Sequence, residues 1–197
     1  VTTVVLATRN AHKLAELEEI LGEIGVGVDL VPLPADAPDV VEDAATFADN
    51  ALKKARSAAA ATGLPALADD SGLCVDALAG MPGVLSARWA GRGKDDAANL
   101  SLVLDQLADV PDERRGAAFV CAAALVRPDG AEQVVEGRVE GRLVREPRGS
   151  GGFGYDPVFV PDGDSRTTAE MPAADKHAIS HRGVAFRALA PALRTLT

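Results

Sequence analysis

The stretch Val4-Val5-Leu6-Ala7-Thr8-Arg9-Asn10-Ala11-His12-Lys13-Leu14 decides the fold class. It opens on a short apolar run and turns polar, and from Leu14 the residues Leu17, Leu21 and Ile24 recur at helical spacing as far as Gly25. The pattern predicts strand, loop and helix, with the free N–H groups of a helix start gathered at the carboxyl end of a strand. Such a start favours an anion, and Lys13 adds a full positive charge. The plainer reading of Thr8 to Lys13 is an ordinary cap on a solvated helix.

Outward from this stretch, a second strand is expected over Val28 to Leu33. A loop follows in which Pro32, Pro34 and Pro38 alternate with Asp36, Asp39, Glu42 and Asp43, leaving little apolar surface to pack. A loop of that length is more often functional than idle. Thr46-Phe47-Ala48-Asp49 reads as a capping box that opens an alanine-rich helix to Thr62, with Gly63 as its stop. Asn50 and Lys54, four residues apart, share one face of it. The apolar run Leu64 to Ala68 then meets the polar tetrad Asp69-Asp70-Ser71-Gly72. Asp95 to Leu107 reads as a helix, Ala117 to Val126 and Glu132 to Val139 as strands joined by a Pro128-Asp129-Gly130 turn, and Gly183 to Leu196 as a closing helix. Alternating strands and helices followed by a hairpin predict an α/β protein with a mixed sheet and a cleft between two lobes.

The 197 residues are 47% apolar, enough for one domain with a core that needs no disulfide or structural metal. With 29 acidic against 20 basic residues the formal charge is -9, which argues against a nucleic-acid polymer as partner. Cys74 and Cys121 sit in apolar stretches without metal-type spacing and read as reduced core residues. No run approaches the roughly 18 apolar residues of a membrane helix, and the first residues follow a strand pattern, not a signal peptide. A soluble, cytoplasmic protein without a membrane partner is expected.

Several familiar motifs are excluded. Gly149-Ser150-Gly151-Gly152-Phe153-Gly154 matches G-x-G-x-x-G, but it leads through Tyr155-Asp156-Pro157 into the strand Val158-Phe159-Val160, not from a strand into a helix. His177 and His181 have the spacing of a zinc pair with no Glu after His177 and no evident third ligand. No phosphate-binding G-x-x-x-x-G-K-[ST] loop occurs.

Further polar clusters remain. Two adjacent carboxylates, Asp69 and Asp70, leaving a buried run would repel each other at a cost that a divalent metal relieves, so a metal plus a base is the economical reading and an N-cap the plainer one. Glu42 and Asp43 are further oxygen donors, or simply solvated. Phe153-Gly154-Tyr155-Asp156-Pro157 sets two of the few aromatic residues among glycines, where they suit stacking on a flat ring or else pack a tight turn. Lys176 and Ser180-His181-Arg182 offer donors for a phosphate or a purine edge, or form a solvated helix start.

Together these clusters resemble the inosine triphosphate pyrophosphatase family, the non-canonical purine nucleoside triphosphate pyrophosphatases also called XTP/dITP diphosphatases. The resemblance runs from Val4-x-Leu-Ala-Thr-x-Asn-x-x-Lys13 through Thr46-Phe-x-x-Asn50 with Lys54 and Arg56, Ala68-Asp-Asp-Ser-Gly-Leu73, Pro82-Gly-Val-x-Ser-Ala-Arg88 and Gly151-Gly-Phe-Gly-Tyr-Asp-Pro157 to Ser180-His-Arg-Gly183. It covers the chain in the family's order, with one departure at Arg9, where that family usually carries a small residue.

The resemblance implies an elongated mixed β-sheet with flanking helices, two lobes around a central active-site cleft, and a homodimer. It implies that Thr8, Arg9, Asn10, Ala11, His12 and Lys13 cradle the triphosphate, with Asn50 and Lys54 positioning it. Glu42 and Asp70 would hold Mg2+, Asp70 would also be the base that activates water, Asp69 would support it and Ser71 would touch substrate. Phe153, Gly154, Tyr155, Asp156, Lys176, Ser180, His181 and Arg182 would form the nucleoside pocket, with Arg182 among the donors to the 6-oxo group. The implied reaction converts ITP, dITP or XTP to the nucleoside monophosphate and pyrophosphate. Two alternatives stand beside it: a pyrophosphatase for another modified nucleotide, such as a pyrimidine, and a non-catalytic nucleotide-binding module.

Overall fold

Residues 2–9 and 11–196 are described by a computed structural model, the side chains of Ala11 and His12 excepted. The opening apolar run is strand β1 (Thr2–Leu6), and Leu14, Leu17, Ile20 and Leu21 give helix α1 (Ala11–Ile24) its inward stripe. Strand β2 (Val28–Pro32) returns parallel to β1, from Thr2 opposite Val28 to Leu6 opposite Pro32. Helix α2 (Phe47–Thr62) begins where the Thr46 hydroxyl accepts from the Asp49 N–H, and it ends at Gly63, whose φ of 67° is a left-handed stop. It leads to β3 (Ala66–Val75), which joins the other side of β1 in parallel through Val5 opposite Ala66 and Leu6 opposite Leu67.

Helix α3 (Asp96–Gln106), strands β4 (Gly116–Val126), β5 (Glu132–Leu143) and β6 (Phe159–Pro161), and helices α4 (Ala173–Ile179) and α5 (His181–Arg194) complete the fold. The β4–β5 turn closes through the Gly130 N–H to the Arg127 carbonyl, as the Pro128-Asp129-Gly130 signal predicts. Because β6 pairs antiparallel with β5, the six-stranded sheet, in the order β2-β1-β3-β4-β5-β6, is mixed. The expected α/β class with flanking helices is the one observed. No helix among the described residues is long and apolar enough to cross a membrane. Cys74 and Cys121 are free thiols.

The chain forms two compact units, one of residues 1–70, 121–137 and 182–197, the other of residues 71–120 and 138–181. In the first, Val4 and Leu6 of β1, Leu67 of β3 and Cys121, Ala123 and Leu125 of β4 are covered by Leu17, Ile20 and Leu21 of α1 and Phe186, Leu189 and Leu193 of α5. Each such large side chain contributes roughly 1.5–3 kcal/mol of burial. Helix α2 packs on β1 and buries Phe47, Ala51, Ala55, Ala58 and Ala59. In the second unit the core is built from Leu73, Val75, Leu100, Val103, Leu107, Leu143, Val158 and Phe159.

Three elements depart from the sequence reading. Strand β5 runs on to Leu143, and the short α4 carries no periodicity long enough to announce it. Strand β3 does not stop at Ala68 but continues through Asp69-Asp70-Ser71-Gly72. It is β1 that ends at this level, so polar residues in mid-strand lie past the edge of their neighbour. Gly72 is required there, because a Cβ would come 2.4 Å from Ser86 Oγ and 2.5 Å from the Gly83 carbonyl oxygen.

Candidate active site

β1 lies between β2 and β3, so the connection through α1 runs to one side of it and the one through α2 crosses back from β2 to the other. In parallel α/β sheets such a switch point is where ligands bind, beyond the carboxyl ends of the strands. Ladder pairing of β1 with β3 ends at Leu6 and Leu67, closed by the Ala7 N–H to the Leu67 carbonyl at 2.7 Å. Beyond it the chain turns into α1 while β3 runs on to Asp69 and Asp70.

Successive strand residues point to opposite faces, and the pleat separates the two carboxylates. Asp69, on the face of Leu67, is 5% exposed and meets α1 and α5. Its Oδ2 accepts from Lys13 Nζ at 3.0 Å and from Arg182 Nε and Nη2 at 3.2 Å. Arg182 Nη1 donates to Glu16 Oε2 at 2.6 Å. Burial by itself would raise the Asp69 pKa, but Lys13 and Arg182 outweigh it and hold the carboxyl well below the usual carboxylate range. Burial also works against the Arg182 charge, and Asp69 and Glu16 overcome it and raise the guanidinium pKa.

Asp70 meets α2 instead. Its Oδ2 accepts from Asn50 Nδ2 at 3.0 Å, and its Oδ1 lies 3.7 Å from Lys54 Nζ. The same ammonium donates to Glu42 Oε1 at 2.5 Å. Burial pushes the Asp70 pKa up and the Glu42 charge adds to it, while Lys54 and the Asn50 amide oppose without cancelling. Lys54 is raised too, since Asp70, Asp69 and Glu42 overcome its desolvation. Asp70 is therefore the better proton acceptor of the pair and Asp69 a fixed anion.

Among the described residues no group of three or more His, Cys, Asp or Glu side chains is gathered for a metal ion. The two carboxylates that converge on Lys54, Glu42 and Asp70, still fit magnesium. That ion takes one or two carboxylates, keeps several waters and completes its shell with substrate phosphates.

In the second unit Phe119, Val139, Asp156, Phe159, Thr168, Lys176, Ile179, Ser180 and His181 line a small cavity. The Asp156 carboxylate accepts from the Phe153 N–H at 2.8 Å, Thr168 Oγ1 at 2.7 Å and Lys176 Nζ at 2.6 Å. Gly152 has a φ of 72°, and a Cβ on it would fall 2.0 Å from Asp156 Oδ2, so the loop closes only on glycine. Phe153 is 60% exposed, with Lys176 Nζ 5.2 Å from its ring centroid. His181 stacks on Phe119 at 5.1 Å.

Most predicted residues fall into these two groups, with several corrections. Arg182, in the first turn of α5, binds Asp69 and Glu16. Tyr155 is not an exposed stacking ring: it is buried, and its hydroxyl donates to the Ser86 carbonyl at 2.8 Å. The repulsion between Asp69 and Asp70 is eased by the pleat and by Lys13, Arg182 and Lys54. Arg9 turns to the acidic loop, with Nη2 donating to the Ala37 carbonyl at 2.6 Å. His177 and His181 belong to different helices with Ser180 extended between them, so they share no helical face. Thr8 and Ser71 are half-buried, two residues past the end of β1 and within β3. Gly154 donates its N–H to Asp96 at 3.0 Å. Asn10 and the side chains of Ala11 and His12 lie outside the described residues. Sequence reasoning missed Glu16, although it stands three residues after Lys13 on one helical face. It also missed Phe119 and Thr168, which no local pattern marks.

The sequence profile of the Ham1 family matches residues 4–192. The dITP/XTP pyrophosphatase of Streptomyces coelicolor is 60% identical over 197 residues, covering 99% of this chain and 98% of its own. That of Mycobacterium tuberculosis is 59% identical, covering 100% and 97%. A HAM1 protein structure from Coxiella burnetii superposes with a TM-score of 0.91 at 43% identity, over 99% of this chain and 100% of that one. The crystal structure of a nucleoside-triphosphatase, or dITP/XTP pyrophosphatase, from Mycobacterium abscessus gives 0.80 at 59% identity, over 98% and 100%. The chain belongs to the Ham1 family.

Proposed function

We propose that the chain hydrolyses non-canonical purine nucleoside triphosphates, ITP, dITP and XTP, to the monophosphate and pyrophosphate, and so cleanses the nucleotide pool. The observation that carries the reading is Asp70, a carboxylate made basic by burial and flanked by Lys54, Asn50 and Glu42. The names of its close relatives support the same reaction.

In this reading Lys13 and Lys54 meet phosphate oxygens, Asn50 positions them, and Asp70 takes the proton of an in-line water while Asp69 fixes Lys13. Glu42 and Asp70 would hold Mg2+, which when bound neutralises charge on the phosphates. Phe153 offers its ring face to the base, and the Lys176 region supplies donors to its 6-oxo group. The enzyme is read as one domain over residues 1–197, cytoplasmic and homodimeric.

The test is pyrophosphate release from ITP, XTP, dITP, ATP, GTP and modified pyrimidine triphosphates, with and without magnesium. Preference for ITP and XTP, lost on chelation, is expected. A pyrimidine preference, or binding without turnover, would replace this reading.

A further inference from the structure

The 14 residues 33–46 between β2 and α2 form no regular element, yet they carry Glu42. A free loop of that length would hold no carboxylate in place. Its later part is tied to α2: the Ala44 N–H donates to Asn50 Oδ1 at 3.0 Å, Lys54 holds Glu42, and Lys53 pairs with Asp43. Its earlier part is tied to Arg9. Arg9 donates from Nη2 to the Ala37 carbonyl at 2.6 Å and pairs through Nη1 with Asp39 Oδ1 at 2.8 Å. Ala37 is buried and stands next to Pro38, whose ring fixes φ between the two gripped residues. The planar guanidinium fork suits this two-point grip, which a lysine ammonium cannot reproduce.

We infer that Arg9 is a positioning residue: by holding Ala37 and Asp39 it sets the acidic loop, and with it Glu42, for the metal. The inference rests on the reading of Glu42 as a magnesium ligand. Arg9 and Asp39 are 48% and 88% exposed at the side chain, so their pair adds little to global stability. Its effect is local, and loop order can be separated from folding.

The experiment compares Arg9→Ala, Arg9→Lys and Asp39→Ala with the unaltered chain, using amide hydrogen exchange and calorimetric titration with magnesium alone. In Arg9→Ala, exchange over residues 35–45 should quicken by roughly three- to tenfold with the rest of the chain unchanged, and magnesium affinity should fall by a similar factor. Arg9→Lys should recover part of both effects. Asp39→Ala made in the Arg9→Ala chain should add little to the effect of Arg9→Ala, since the two share one contact. Unchanged loop exchange, faster exchange spread over the whole chain, or unaltered magnesium affinity would overturn the inference. If ITP is not hydrolysed but loop and metal respond together, the proposed reaction fails and the role of Arg9 stands.

Discussion

Asp69 and Asp70 are neighbours in β3 held by different helices, Asp69 by Lys13 of α1 and Arg182 of α5, Asp70 by Asn50 of α2. The pleat turns one pair of like charges into two environments. One carboxylate is locked as an ion between two cations, and the other is lifted toward proton uptake by burial. Division of labour between adjacent acids is the arrangement that water activation beside a polyanion calls for.

The two asparagine variants should separate this division. Asp70→Asn should lower turnover of ITP by at least ~100-fold, the usual scale of a general base. Because folding disfavours the Asp70 charge, the change should leave the denaturation midpoint unchanged or higher. Asp69→Asn should instead destabilise the chain by about 3–5 kcal/mol, since it breaks a buried pair and leaves Arg182 and Lys13 less compensated. Urea unfolding beside steady-state rates reads both effects.

Lys13→Ala and Lys54→Ala should each weaken inosine triphosphate binding more than inosine binding, because their ammonium groups stand with the carboxylates and not in the second unit's cavity. Equilibrium titration with both ligands checks this. Equal loss for the two would assign the lysines a structural role.

Base choice is expected from Lys176, whose ammonium lines the second unit's cavity. Lys176→Met should narrow the ratio of ITP to ATP turnover, because a donor facing the 6-oxo group is what an adenine amino group leaves unpaired. Arg182→Ala should lower both substrates alike and reduce stability, since Asp69 and Glu16 lose their shared partner. Paired rate measurements on the two nucleotides decide between the residues.

In the glycine loop, Phe153→Ala should weaken nucleotide binding by ~1–3 kcal/mol of stacking with little change in stability, as the ring is mostly exposed. Tyr155→Phe should do the reverse, costing ~0.5–1.5 kcal/mol of stability through the bond to the Ser86 carbonyl while sparing affinity. Thermal unfolding and ligand titration of the two variants give opposite patterns if the loop has these two faces.

What the sequence made legible was local. The Thr46 cap, the Gly63 stop and the β4–β5 turn each depend on a few consecutive residues, and all stand where their chemistry put them. The motif residues were found as well, because polar side chains after an apolar run are conspicuous. Their partners were not, since pairing follows the pleat and the helix turn: Arg182 binds Asp69, more than a hundred positions away, and Tyr155 turned inward while Phe153 stayed out. Arg115 illustrates the remainder. It is buried and donates to the carbonyls of Leu107, Leu143 and Val144, a junction of distant segments that no short pattern announces.

In the proposed reaction the phosphoanhydride bond between the α and β phosphates is broken with Asp70 as base. Phosphorus NMR of ITP incubated with the protein and magnesium follows the products directly. Inosine monophosphate and pyrophosphate should appear in equal amounts and nearly disappear with Asp70→Asn. Inosine diphosphate with orthophosphate, or undiminished product from Asp70→Asn, would contradict this reaction.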